Sequence, residues 1–481
     1  MIRKTKIIST IGPATSSLLM LKKIIKAGVN VCRLNFSHLQ HEEAREIISR
    51  IKQINKDLNV HTAILADLQG PKIRVGILQK PIILIKEDSV FFSTDKSSKK
   101  LTNISIKKNA LYINYSDFAK DISVGDRILI DDGKIELQAT YSDKKTLVEA
   151  KVVFGGELSS NKGVNLPNTE ISIPCLTKKD LKDLDFILKE DIEWIALSFV
   201  RRAEDVVSLR KKIKVKKSRV KLIAKIEKPE AIINIDSIID VTDAIMVARG
   251  DLGVEVPPQK VPVYQKMIVN KCIANSKPVI IATQMLESMT ESPSATRAEV
   301  NDVANSVIDG ADALMLSGET SVGQYPLKSV DTMRNIIRDI ENSKHNISKN
   351  IEDRNPIEGT RFLSNSICLN AVQVAEQVKA KALITITYSG YNSIKVSSFR
   401  PHAFIYVFTN NHKILNSLSL VWGVQGFYYE GASTTSATIK ETKNILKKLK
   451  YLKKDDLVIN LASMPAREKG MTNMMKLSKI E

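Results

Sequence analysis

The 481-residue sequence predicts an α/β protein: a (β/α)8 TIM barrel with a small β-barrel lid domain inserted in one loop, followed by a C-terminal α/β domain. Three observations carry that prediction. Eight short apolar, β-branched runs end abruptly in polar or glycine residues, as strands buried on both faces do. Amphipathic stretches of helical period separate most of them. After the third run the pattern switches to alternating strands and turn signals, then switches back.

The runs cover residues 6–12, 29–37, 62–69, 194–199, 221–227, 244–253, 278–285 and 313–319. Helical periodicity is clear over 17–27, 42–56 and 180–190. Strands that alternate with helices in this way form a parallel sheet, and eight of them close into a barrel. Residues 71–167 carry turn signals at Asp131-Asp132-Gly133 and Gly155-Gly156 and few helical patterns, so they read as a β domain in the loop after the third strand. From 346 a second series starts, with a helix over 363–378 and strands over 382–388, 404–409 and 457–461. The expected domains are 1–70 with 168–345, then 71–167, then 346–481.

Composition removes several classes. With 43% hydrophobic and 26% charged residues the chain is ordinary globular material. No run approaches the ~18 to 20 apolar residues of a membrane helix, and the start lacks a cleavage signal, so a cytoplasmic protein with no membrane partner is expected. Cys32, Cys175, Cys272 and Cys368 lie too far apart for a disulfide framework or a metal-binding pair and read as buried thiols. His38 and His41 lack the further ligands that zinc needs. The net charge of +19 comes from 72 basic and 53 acidic residues, with 54 lysines against 18 arginines spread along the chain. No nucleic-acid motif accompanies it, so no nucleic-acid partner is expected, and the surplus suits acidic small-molecule substrates.

In such a barrel the active site forms at the C-terminal ends of the strands. There the second run closes with Arg33, Asn35, Ser37 and His38, and the third with Asp67. The fifth closes with Lys225 and Glu227, the sixth with Arg249, Gly250 and Asp251, the seventh with Thr283 and Gln284, and the eighth with Ser317 and Glu319. Alternate residues of a strand share a face, so Lys225 lies beside Glu227 and Arg33 beside Asn35. A lysine among carboxylates with an arginine nearby suits a divalent metal and a phosphorylated or carboxylated substrate. No glycine-rich nucleotide fingerprint is present, so phosphate must be handled by lysine, arginine and metal.

At these residues the sequence resembles the pyruvate kinase family along nearly its whole length. The carrying motifs are Arg33-Leu-Asn-Phe-Ser-His38, Ile223-Ala-Lys-Ile-Glu227, residues 246–255, residues 282–288, residues 293–299 and Met315-Leu-Ser-Gly-Glu-Thr320. Asp67-Leu-Gln-Gly-Pro-Lys-Ile-Arg74 is similar to one bacterial branch. The resemblance implies phosphoryl transfer from phosphoenolpyruvate to ADP. Phosphoenolpyruvate would meet Gly250, Asp251 and Thr283 through its carboxylate, and Arg33 and Lys225 through its phosphate. Glu227 and Asp251 would hold Mg²⁺ (or Mn²⁺), and Thr283, with Ser317 and water, would relay the proton to the enolate. ADP would contact Asn35, Phe36, Ser37, His38, Arg74 and Lys162, with the inserted domain as a lid; Leu39 departs from the glycine common after Ser-His.

The resemblance also implies a K⁺ site at Asn35, Ser37, Asp67 and the Leu68 carbonyl. Lys72 stands where K⁺-dependent relatives carry glutamate, and its ammonium can replace that ion. A phosphorylated allosteric effector is expected at Thr387, Ser389, Gly390 and Ser393, and a homotetramer is the family's usual assembly. Two competing readings are another Mg²⁺-enolate barrel, such as a phosphoenolpyruvate mutase or an aldolase, and a basic binding protein with a decayed site. The first would not need Arg74 and Lys162, and the second would not keep Lys225, Glu227 and Asp251.

Overall fold

The structure, a computed structural model, describes residues 3–95, 110–167, 169–343, 361–432, 434–464 and 472–481. The expected domain boundaries at 168 and 345–346 lie outside the described residues. Eight strands, β1 (Lys6–Ile11), β2 (Val31–Asn35), β3 (Ala63–Asp67), β4 (Trp194–Leu197), β5 (Lys221–Ile226), β6 (Ala244–Ala248), β7 (Val279–Ala282) and β8 (Ala313–Leu316), form a closed barrel. Each strand pairs in parallel with its neighbours in sequence, and β8 returns to β1.

The pleat sorts alternate residues into two cores. Ile8, Leu65, Trp194, Ile223, Met246 and Met315 fill the barrel axis, and Leu420 from the C-terminal domain joins them fully buried. The other face, with Ile7, Ile64, Ile195 and Leu222, packs on the surrounding helices. Helix His41–Leu58 shows why: Ile47, Ile51 and Ile54 lie on one stripe at helical spacing and are fully buried. Each such side chain contributes about 1.5–3 kcal/mol on leaving water.

The insert after β3 folds around its own core, which includes Phe92, Phe118, Ile128, Leu137 and Val152. It contains a six-stranded sheet whose edge strands are Val164–Asn165 and Leu111–Tyr112, and a two-stranded ribbon. Bridges Arg74 to Gly163 and Val75 to Ile113 join those two edges through residues 74–75, closing the sheet on itself. Both connections to the barrel are anchored. Gly70 turns at φ +70° with its N–H on Asp180, and a Cβ there would stand 2.7 Å from the Phe199 ring, so only glycine fits. The returning segment is held by Arg201, whose guanidinium donates to the carbonyls of Ile171 and Ile173.

The C-terminal sheet runs in the order Val424–Tyr428, Phe404–Thr409, Ala382–Ile386, Leu457–Ala462 and Met474–Lys479, parallel except for the last. The sequence pattern missed its two edge strands. Gln425 and Gly426 interrupt the first, and the second alternates with polar residues as an exposed edge does. This domain caps the N-terminal end of the barrel, opposite the candidate site. Arg400 donates to Asp312 at 2.8 Å with both side chains at most 3% exposed, while Asp312 also accepts the N–H groups of Val279 and Trp422. No helix among the described residues is long and apolar enough to cross a membrane.

Candidate active site

The C-terminal ends of β2, β3 and β5 bring Arg33, Asp67, Lys225 and Glu227 into one charged cluster. Arg33 grips Asp67 through Nε and Nη2, both at 2.7 Å from Oδ2, and donates to the Thr10 hydroxyl at 3.0 Å. Lys225 Nζ lies 2.8 Å from Glu227 and 3.4 Å from Asp67, with its side chain 12% exposed. It also donates to the Ser198 hydroxyl at 2.8 Å, which donates in turn to the Leu68 carbonyl at 2.7 Å. Ser198 and Thr10 were not among the sequence-predicted residues, although the strand-end rule applied to β1 and β4 would have found them.

Burial sets the electrostatics. Desolvation works against the Lys225 ammonium, but Asp67, Glu227 and Asp251 outweigh it and hold its pKa above the ordinary lysine value. Burial would raise Asp67; Lys225 and Arg33 outweigh it and keep the carboxyl below its usual range. Glu227 is pushed up to about 6, by burial first, partly offset by Lys225 and reinforced by repulsion from Asp251. Its Oε2 accepts the Phe199 N–H at 2.7 Å. The site therefore holds a firmly charged ammonium beside a carboxyl that burial and Asp251 make harder to ionise than a free glutamate.

A second cluster joins β6 and β7. The Gly250 N–H donates to the Thr283 hydroxyl at 2.7 Å, and that hydroxyl donates to the Ala282 carbonyl at 2.6 Å. A Cβ at Gly250 would approach Thr283 Oγ1 to 3.2 Å, so glycine permits the contact. Thr283 and Gln284 both adopt positive φ, 68° and 55°, which for a β-branched residue costs ~1–3 kcal/mol. Arg249 supplies the compensation: it pairs with Asp302 at 2.7 Å and donates to the carbonyls of Thr283 and Gln284. Arg249 is thus spent on shaping the loop. Glu319 is likewise spent, accepting the N–H groups of Leu286 and Ser317.

Other predicted residues take separate places. The Phe36 ring is fully buried, so only its main chain can face a nucleotide; its carbonyl accepts from Lys179. Asn35 accepts the Ser37 N–H at 3.1 Å, and His38 is exposed. Arg74 donates to the Asn161 carbonyl and Lys162 pairs with Asp131, both within the lid. A cleft between lid and barrel is lined by Lys72, Asp132, Asn165, Lys228, Asp251 and Glu255. In the C-terminal domain Thr387 Oγ1 accepts the Gly390 N–H at 2.9 Å, and Ser389 is exposed. Ser393 needs correcting as an effector residue. It is fully buried and its hydroxyl bonds to that of Thr385, because it falls on the inward face of helix Tyr391–Ser398.

Residues 2–330 match the family described as pyruvate kinase, barrel domain, and residues 365–478 match pyruvate kinase, alpha/beta domain. The chain belongs to the pyruvate kinase family. It is 40% identical to the pyruvate kinase of Staphylococcus epidermidis over 476 residues, 99% of this chain and 80% of the relative. The Staphylococcus aureus pyruvate kinase is 41% identical over the same spans. A crystal structure of a pyruvate kinase from Cryptosporidium parvum superposes with a TM-score of 0.92 at 34% identity, covering 100% of this chain and 96% of that one. As a pyruvate kinase family enzyme the chain transfers the phosphoryl group of phosphoenolpyruvate to ADP, giving pyruvate and ATP in glycolysis. Pyruvate kinases generally use Mg²⁺ and K⁺.

Proposed function

We propose that the Arg33–Asp67–Lys225–Glu227 cluster and the Gly250–Thr283 loop are where this chain carries out that transfer. The buried Lys225 ammonium at the mouth of the barrel is the observation that carries the reading. Arg33 and Lys225 bind the phosphoryl group of phosphoenolpyruvate, and Gly250, Asp251 and Thr283 receive its carboxylate. The phosphorus–oxygen bond of the donor breaks as an ADP oxygen bonds to phosphorus, and Lys225 stabilises the charge on the moving group and on the enolate left behind. The enolate carbon then takes a proton delivered past the Thr283 hydroxyl. ADP lies against Asn35, the Phe36 main chain, Ser37 and His38, with Arg74 and Lys162 above it on the lid.

The residues fit a Mg²⁺ ion at Glu227 and Asp251. The donors are all oxygen, and the raised Glu227 carboxyl is a group that a nearby cation would ionise. Among the described residues no set of three or more acidic, histidine or cysteine side chains is placed to enclose a metal, which leaves coordination positions to substrate oxygens and water. When bound, the ion supplies neutralisation of the substrate's negative charge. Chelator is expected to abolish pyruvate formation in a coupled assay, and Mg²⁺ or Mn²⁺ to restore it. Activity retained after exhaustive metal stripping would contradict the assignment.

For the monovalent site, the ligands of the reading are the oxygens of Asn35, Ser37, Asp67 and Leu68, and its substitute cation is Lys72, which lines the same cleft as Asp251. Substantial activity without K⁺ is expected, with a new K⁺ requirement in Lys72→Glu. Initial rates against K⁺ in a tetraalkylammonium buffer decide; steep activation of the unaltered enzyme from near zero would remove Lys72 from this role.

A phosphorylated effector held at Thr387, Ser389 and Gly390 completes the reading, supported by the turn that starts helix Tyr391–Ser398, and family membership alone suggests a homotetrameric assembly. Four buried free thiols are consistent with a cytoplasmic setting.

A further inference from the structure

We infer that Asn165, Glu255 and Lys228 form a latch that fixes the nucleotide side of the lid against the phosphoenolpyruvate side of the barrel. Asn165 and Glu255 are then positioning residues for phosphoryl transfer. The inference rests on the assignment of ADP to the lid face made above.

Glu255 Oε1 accepts two hydrogen bonds, from Lys228 Nζ at 2.7 Å and from the Asn165 side-chain amide at 2.8 Å. The Lys228 and Glu255 side chains are 6% and 1% exposed. Glu255 Oε2 is buried with no hydrogen-bond partner among the described residues. A buried carboxylate with an idle oxygen is a poor choice for stability alone, which points to a role in the cleft these residues line.

The chain connectivity defines that role. Asn165 sits on the lid edge strand Val164–Asn165, paired with Leu129 across the sheet. Three residues earlier is Lys162, whose carbonyl accepts the Val75 N–H at 2.9 Å, and Arg74 bridges to Gly163 on the adjoining rung. The two nucleotide-side cations therefore ride on the same rigid edge as Asn165. On the barrel side, Glu255 is the last residue of helix Arg249–Glu255, whose first turn holds Gly250 and Asp251. One helix about 6 Å long between these ends links the substrate cradle to the latch. Breaking the Asn165 bond frees the lid edge to shift relative to phosphoenolpyruvate, and a displacement of ~1 Å can cost ~10²-fold in a transfer that depends on alignment.

The test is steady-state kinetics of Asn165→Ala, which leaves the Lys228–Glu255 pair intact. The expected result is a fall of about ten- to hundredfold in kcat/KM for ADP, the size of one hydrogen bond to a charged group. KM for phosphoenolpyruvate and the melting temperature should hardly move. Asn165→Asp, which removes the amide donor and sets a second carboxylate against Glu255 Oε1, should lose at least as much. Unchanged ADP kinetics in Asn165→Ala would overturn the latch. So would equal losses for both substrates accompanied by a lower melting temperature, which is the mark of a structural contact. Arg74→Ala and Lys162→Ala, measured alongside, test the underlying assignment separately: if neither alters KM for ADP, the nucleotide does not lie where it was placed, whatever Asn165 does.

Discussion

Lys225→Met is expected to lower kcat by ~10² to 10³ or more, the usual consequence of removing one charge aimed at a transition state. Methionine keeps much of the apolar stem but cannot neutralise the transferring group. Asp67 keeps its bonds to Arg33, so the pocket retains the arginine proposed to bind the phosphoryl group. KM for phosphoenolpyruvate should therefore change far less than kcat. Single-turnover rates at saturating phosphoenolpyruvate and ADP isolate the chemical step, and near-normal turnover there would end the role given to Lys225.

The second large effect is on stability. Arg400→Met breaks the buried pair with Asp312 and strips the donor from the Gly310 carbonyl. Removing one partner of a buried pair costs ~3–5 kcal/mol because the other charge stays behind unpaired. Asp312 cannot simply leave, since its oxygens also hold the main chain at Val279 and Trp422. Urea or thermal denaturation should show the loss, while the kinetics of the folded variant at low temperature stay close to normal because the site lies at the far end of the barrel. A denaturation midpoint equal to that of the unaltered protein would refute this.

The candidate site at the C-terminal end of the barrel was legible because two strong signals coincide there. Strands buried on both faces read as unbroken apolar runs, and the polar residues that close them have nowhere to point but the strand-end face. That logic delivers Arg33, Asp67, Lys225, Glu227 and Thr283 from the sequence. It misjudges Arg249 and Glu319, since strand-end position says nothing about whether a charge faces substrate or the neighbouring loop. In both cases the structure shows a side chain satisfying main-chain groups. The contact of Asn165 with Glu255 joins residues 90 positions apart on a β edge and a helix end. No periodicity marks such a pair. Ser393 failed for a smaller reason: one residue of helical rotation separates a turn-facing hydroxyl from a buried one.

Leu420 has a bearing on how the molecule is made. It stoppers the axis of a barrel whose last strand is completed at Leu316, yet it belongs to a segment translated much later. Ribosomes add about 5–20 residues per second, so the eight strands exist for several seconds before their floor arrives. During that interval the N-terminal end of the barrel, including Trp194, whose indole N–H bonds to the Ser417 carbonyl in the finished protein, presents apolar surface to solvent. The nascent barrel is then a natural client for a chaperone that binds exposed hydrophobic ends, and a synonymous change that slows synthesis between the last barrel strand and Leu420 would lengthen its exposure to aggregation without altering a single amino acid.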